Sequence, residues 1–301
     1  MVNTVTLIWS LGKWTVKMAG VKPYMVEIEP GTVMRFWVPS ETISKPTKPV
    51  VVLLHGFSSD GLTTWLSQII MLAKNYAVYV PNLIFFGGST TDKPDRSPTF
   101  QAGCLAAGLK KLGVEKCVVV GFSYGGMVAF QMAELYSELV QAVVVTGSIL
   151  AIQESMISSS VVENVGSSWS EILLPSSVEG LKSLLSTGLY RNIRFPNRVL
   201  SDFLKVMFSN RKERSELLEA LELSYKDINI PNFSQRIHLL WGEKDKIFKL
   251  EVAHNIKEKL GNNATIEVIK KAGHLVNMER PFIYNRCLKK FLSSIMLDEI
   301  K

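Results

Sequence analysis

Cysteine is scarce in this chain. Only Cys104, Cys117 and Cys287 occur in 301 residues, and an odd number without regular spacing excludes a disulfide framework and points to a reducing compartment. None has the spacing of a metal cage, and only four histidines are present, so no metal or organic cofactor is implied. Long apolar runs are also missing. The stretch from Met1 to Gly20 is mildly apolar but broken by Lys13 and Lys17. That excludes a membrane span there, and the basic start, apolar middle and small-residue cleavage site of a secretory leader are not found. A cytoplasmic protein is therefore expected. Repeats and low-complexity tracts are lacking. The formal charge is +7, yet no aromatic–basic interleaving accompanies it, so no nucleic-acid partner is expected.

What is present is material for a large core. Hydrophobic residues make up 47% and charged ones 20%, an ordinary globular balance that allows one large domain, or one domain with an insertion. Val5, Ile8, Leu11 and Val16 fit a loose amphipathic helix, with packing on the body or contact with a membrane surface as its two readings. Two strand candidates, Tyr24–Ile28 and Val33–Val38, are joined by the turn signal Glu29-Pro30-Gly31. Val50–Leu54, Ala77–Val80, Lys116–Val120, Ala142–Thr146, Ile237–Trp241 and Thr265–Ile269 are strand candidates, most of them continuous apolar runs that mark strands buried on both faces. Helical patterns lie between or after them: Leu62–Lys74, Phe100–Leu112, Gly126–Tyr136, Leu250–Leu260 and Arg280–Ser294. The alternation predicts an α/β fold, a mostly parallel sheet with helices on both faces and active residues at the strand C-terminal ends.

One stretch breaks the alternation. From Ser148 to about Ile230 no convincing strand appears, only helical pieces at Ser177–Ser186, Asn197–Ser209 and Lys212–Tyr225. Residues 148–230 are therefore expected to form a helical cap inserted into a core made of 1–147 and 231–301. Its apolar side chains, among them Trp169, Phe195, Phe203, Met207 and Phe208, are shared between internal packing and an apolar pocket. Its bases, Arg191, Arg194, Arg198, Lys205, Arg211, Lys212 and Arg214, would favour an anionic substrate or an anionic membrane surface.

The chemistry is carried by Gly121-Phe122-Ser123-Tyr124-Gly125. A Gly-x-Ser-x-Gly run between a buried strand and a helix places the serine on a sharp, strained turn with its hydroxyl above the sheet edge. A serine alcohol is a poor nucleophile without a base, a group that orients the base, and donors for the oxyanion. His274, between the last strand and the last helix, is the candidate base. His238 lies within a core strand, His254 on a surface helix, and His55 braces a loop. Asp245, just past a strand end, is the candidate orienting acid, with Glu243 as its rival. The peptide N–H groups of Phe57 and Tyr124 are the candidate oxyanion donors, with His55 and Gly56 supporting the Phe57 loop.

Over nearly its whole length the chain resembles the α/β-hydrolase fold superfamily. The match is carried by His55-Gly56, Pro81-Asn82-Leu83 with Phe86-Gly87-Gly88-Ser89, Gly121 to Gly126, Trp241 to Asp245, and Gly273-His274, and the order Ser, acid, His is that of the superfamily. Within it, the segment Met18 to Val38 and the serine turn look most like a plant group of capped serine hydrolases, similar to monoacylglycerol-lipase-like and meta-cleavage-product-hydrolase-like enzymes. Asn82 departs from the pattern, since relatives usually carry Asp there, and a structural change with intact catalysis is expected. The resemblance implies a serine hydrolase acting on a carboxylic ester or thioester of an apolar acyl or aromatic substrate, as monomer or homodimer. Carbon–carbon bond hydrolysis or lyase chemistry with the same triad, and a small-molecule receptor with slow turnover, are the alternatives. Serine at 123 disfavours haloalkane and epoxide opening, which need a carboxylate nucleophile in this fold.

Overall fold

A computed structural model of the chain describes residues 3–41, 46–150, 169–224 and 231–298. Nine strands form one sheet, in the order β1-β2-β4-β3-β6-β7-β8-β9, with a short β5 paired to β2. The strands are β1 (Val21–Glu29), β2 (Thr32–Pro39), β3 (Val50–Leu54), β4 (Ala77–Pro81), β5 (Thr90–Thr91), β6 (Cys117–Phe122), β7 (Val140–Thr146), β8 (Arg236–Gly242) and β9 (Ala264–Ile269). β1 and β2 make an antiparallel hairpin, and β2 runs antiparallel to β4. From β4 through β9 every neighbouring pair is parallel. This is the expected sheet. β5 was not foreseen, because a two-residue strand leaves no periodic signal.

The reason the strands are buried on both faces is visible in β3. Val52 and Leu54 join one core cluster while Val51 and Leu53 join the other, on the opposite side of the sheet, as the two-residue alternation of a strand requires. One side is covered by α3 (Pro98–Lys111) and α4 (Tyr124–Leu135), together with the helix Leu250–Leu260, called α9 below. The other is covered by α1 (Thr4–Met18), α2 (Gly61–Leu72) and the last helix Pro281–Asp298, called α11. Local signals start these helices: Asn3, Asp60 and Ser97 each accept the peptide N–H three residues on, satisfying a first-turn donor.

The face of α1 differs from expectation. Val5, Gly12 and Val16 are buried, with Trp9 half-buried between them, whereas Ile8 and Leu11 are 62% and 63% exposed. At 100° per residue, positions 5, 9, 12 and 16 share one line along the helix, and 8 and 11 fall off it.

Between β7 and β8 the described residues form helices only: α5 (Trp169–Leu173), α6 (Val178–Gly188), α7 (Asn197–Met207) and α8 (Arg211–Ser224). Residues 151–168 and 225–230 of this stretch lie outside the described residues. The short helix α10 (Val276–Glu279) precedes α11.

Candidate active site

The serine turn is strained, as its sequence demands. Ser123 has φ +53° and ψ −120°, a region that L residues with a side chain enter only when neighbours over-determine it. Those neighbours are on hand. The Ser123 N–H donates to the Thr146 carbonyl across 2.9 Å, and the Ser123 carbonyl accepts from the Gly126 N–H at 2.8 Å and the Ser148 hydroxyl at 2.7 Å. The turn closes only because Gly121 and Gly125 lack β-carbons. One at Gly121 would lie 2.4 Å from the Gly125 carbonyl oxygen, and one at Gly125 would lie 2.4 Å from that of Leu54.

Asp245 and His274 come from loops after adjacent strands, β8 and β9. Asp245 divides its two oxygens. Oδ1 accepts from the peptide N–H groups of Ile247 (2.8 Å) and Phe248 (2.9 Å), which hold the carboxylate still. Oδ2 faces His274 Nδ1 at 2.9 Å. A carboxylate oxygen accepts, so Nδ1 carries the hydrogen and Nε2 of a neutral ring keeps its lone pair. Both side chains are nearly out of water, 1% exposed for Asp245 and 5% for His274, and the rings of Phe122 and Phe248 stand 4.9 and 5.8 Å from the imidazole. Glu243 points elsewhere: its Oε2 takes the Lys271 N–H at 3.1 Å.

His55 sits just past β3, fully buried. Its Nε2 accepts from the Leu83 N–H at 3.0 Å and its Nδ1 donates to the Gly56 carbonyl at 2.7 Å. Burial holds its pKa down to about 4, so the ring is a neutral brace between two loops. Gly56 and Phe57, which it braces, line the same cavity as Ser123 and His274. Tyr124 is the first residue of α4, at the positive end of that helix, and its ring meets that of Phe57 edge-on at 5.6 Å.

The surroundings of Asn82 suit an amide. Its Oδ1 accepts from the Gly61 N–H and its Nδ2 donates to the Gly87 carbonyl, both at 2.9 Å. An ionised aspartate could make only the first of these bonds. The role of Asn82 is structural, at the base of α2.

The cavity that holds Ser123 has a volume of about 410 Å³. Its walls come from the sheet ends, from α6 and α7 (Leu181, Leu185, Leu200, Phe203), and from Ile8 of α1; no Lys, Arg, Asp or Glu lines it among the described residues. The bases of the inserted helices are therefore not a substrate clamp within these walls. Arg214, on α8, is buried, its guanidinium 4.2 Å from the Phe86 ring centroid and its Nε on the Phe85 carbonyl, and Arg211 donates to the Pro175 carbonyl. Both tie the inserted helices together or to the core.

Three contributors had escaped the sequence. Gly147 has φ +51°, and a β-carbon there would come within 2.8 Å of His274 Nδ1 and Cε1. Ser148 fastens the Ser123 carbonyl. A glycine followed by a serine directly after a buried strand was the available signal for both. Ile8 reaches the cavity from the far N-terminus, which no local motif announces. Among the described residues no group of His, Cys, Asp and Glu has the arrangement of a metal site.

Sheet order, strained serine turn and loop-borne Asp–His pair are those of an α/β hydrolase. The family described as alpha/beta hydrolase fold matches residues 49–173. Epoxide hydrolase 4 of Homo sapiens is 27% identical over 271 residues, covering 81% of this chain and 72% of the relative. Monoacylglycerol lipase ABHD6 of Homo sapiens is 25% identical over 265 residues, covering 82% and 76%. The crystal structure of 2-hydroxy-6-oxo-6-phenylhexa-2,4-dienoate hydrolase from Rhodococcus sp. strain RHA1 superposes with a TM-score of 0.74 at 20% identity, covering 92% of this chain and 98% of that one. The chain has the α/β-hydrolase fold.

Proposed function

We propose that this chain is a serine hydrolase that cleaves carboxylic esters of neutral, apolar substrates through an acyl-enzyme on Ser123. The observation that carries this reading is the 2.9 Å contact of Asp245 Oδ2 with His274 Nδ1, at the edge of the cavity that also holds Ser123 on its strained turn. His274 Nε2 takes the Ser123 proton as Oγ attacks the ester carbonyl. The oxyanion is held by the N–H groups of Phe57 and Tyr124, and the alcohol leaves with the proton from His274. A water deprotonated by His274 then attacks the acyl-enzyme, and Ser123 regains its proton as the acid departs. The inserted helices serve as a cap that excludes water and selects the acyl or aromatic group.

The wall chemistry favours an ester over a carbon–carbon substrate of the kind named for the Rhodococcus enzyme. A dienoate carries a carboxylate, and no cation lines the described walls, so its burial would go uncompensated. Epoxide opening in this fold needs a carboxylate nucleophile, and position 123 is serine. A panel of nitrophenyl esters of increasing acyl length, set against a vinylogous diketone acid, tests the reading. Ester turnover that rises with acyl length supports it. Fast diketone cleavage with negligible ester hydrolysis would overturn it.

A further inference from the structure

Helix α1 carries two apolar stripes, where a helix lying on a globular body needs one. The first, through Val5, Gly12 and Val16, is buried. The second lies on the opposite side at the same four-three-four spacing: Leu7, Leu11, Trp14 and Met18, exposed by 63%, 63%, 60% and 71%. Ile8, at the edge of this stripe and 62% exposed, also lines the cavity that holds Ser123. Two other elements bring an exposed apolar side chain to that cavity, Phe195 ahead of α7 (40%) and Met278 in α10 (47%). The shared cavity puts all three at one mouth, and the outer stripe of α1 runs beside it.

The charge around this face is mostly positive. Residues 3–26 contain Lys13, Lys17 and Lys22 and no acid, and residues 180–201 contain Lys182, Arg191, Arg194 and Arg198 and no acid. Acids sit at its border and are fixed by backbone: Asp202 accepts the Thr4 N–H, and Glu279 accepts those of Tyr190 and Gly273. Contiguous exposed apolar surface marks an interaction site, and a cationic border selects an anionic partner. A second copy of the chain, docked face to face, would set this border against itself. A phospholipid surface answers both features at once. With 15 residues, α1 is about 22 Å long, too short to cross a hydrocarbon core of about 30 Å, so it would lie in the interface, with Trp14 suited to the headgroup level.

We propose that the outer stripe of α1 and the Ile8–Phe195–Met278 mouth form a docking surface for an anionic phospholipid membrane, from which a lipid ester enters the cavity without crossing water. The docking stands on the surface alone; the ester clause rests on the hydrolase reading above.

The test is flotation of the full chain carrying Ser123→Ala, which removes turnover, with vesicles of phosphatidylcholine alone and of phosphatidylcholine mixed with phosphatidylglycerol. The expected result is binding to the mixed vesicles that weakens with salt and is poor on phosphatidylcholine. A variant combining Leu7→Ser, Leu11→Ser and Trp14→Ser should bind about tenfold or more weakly. In the otherwise native chain, the same three substitutions should leave turnover of a short soluble ester unchanged, which shows that the protein still folds. No flotation at low salt, or flotation that the triple variant retains, would overturn the proposal, as would a dimer in solution that the substitutions split. Docking that depends on the stripe, in a chain with no esterase activity, would uphold the surface and sink the hydrolase reading instead.

Discussion

Gly147 and His274 are packed so closely that glycine alone fits between the imidazole and the end of β7: a β-carbon at 147 would lie 2.8 Å from the ring, and 3.1 Å from Asp245 Oδ2. The backbone there has φ +51°, which already disfavours a side chain. Gly147→Ala is therefore expected to push the imidazole away from Asp245 while leaving the sheet intact. Ester kcat should fall about 10²-fold or more, with a native circular dichroism spectrum. Wild-type turnover in a folded Gly147→Ala protein would show that the ring position is not what the reaction needs.

The two carboxylates after β8 have different work. Asp245→Asn removes the acceptor that sets the His274 tautomer and is expected to lower kcat by ~10³–10⁴. Glu243→Gln, at a side chain that accepts the Lys271 N–H, should change it less than about threefold. Steady-state kinetics of both variants with one ester decides the matter, and the reverse ranking would reassign the acid.

Asn82→Asp should cost stability here. At neutral pH the carboxylate would face the Gly87 carbonyl, which now accepts a hydrogen bond. The urea midpoint should drop by an amount worth ~1–3 kcal/mol, and the loss should shrink as the new carboxyl protonates. An unchanged midpoint at pH 7 would show that the loop adjusts freely.

Two buried histidines set an acid limit on stability. Burial holds both His55 and His238 down to about 4, from an ordinary value of 6.5. Below pH 6.5 the unfolded chain takes up protons that the folded chain refuses until about pH 4. Stability from these groups is thus full above 6.5 and is lost as pH falls through that window, by up to ~3 kcal/mol each. Asp60, whose pKa burial raises, acts in the opposite sense, so the comparison is made against a variant. His238→Gln should lose its urea midpoint less steeply between pH 7 and 4.5 than the wild type does; parallel profiles would contradict the assignment.

Much of the frame was legible because its signals were local. Val50–Leu54 and Leu250–Leu260 were bounded in sequence as they are in space, the first because a wholly buried strand must be wholly apolar, the second because its amphipathic spacing is regular. β6 runs two residues further than its valines, to Phe122, since the strand continues straight into the serine turn. Ser123, Asp245 and His274 could each be chosen by residue type and by position after a strand, and all three line up at strand ends.

What stayed hidden depends on contacts between distant segments. The closeness of Gly147 to His274, the bond from the Gly61 N–H to Asn82, and the reach of Ile8 into the cavity are made by neighbours more than twenty residues away. The outer stripe of α1 was obscured for a different reason. Two apolar stripes on one helix blur each other, and the buried one is recognised only when its partner surface is known. The bases between β7 and β8 had suggested attraction for an anionic substrate or membrane surface; of these, Arg214 is buried and both it and Arg211 donate to backbone carbonyls.

The central claim is that the reaction passes through a covalent bond to Ser123 Oγ. Rapid acid quench of the protein during turnover of a nitrophenyl ester, followed by peptide mass spectrometry, reads this directly. An acyl mass increment confined to the peptide containing Ser123, absent together with turnover in Ser123→Ala, is the predicted result. Ester turnover that survives in Ser123→Ala, or an acyl group trapped on another residue, would contradict it.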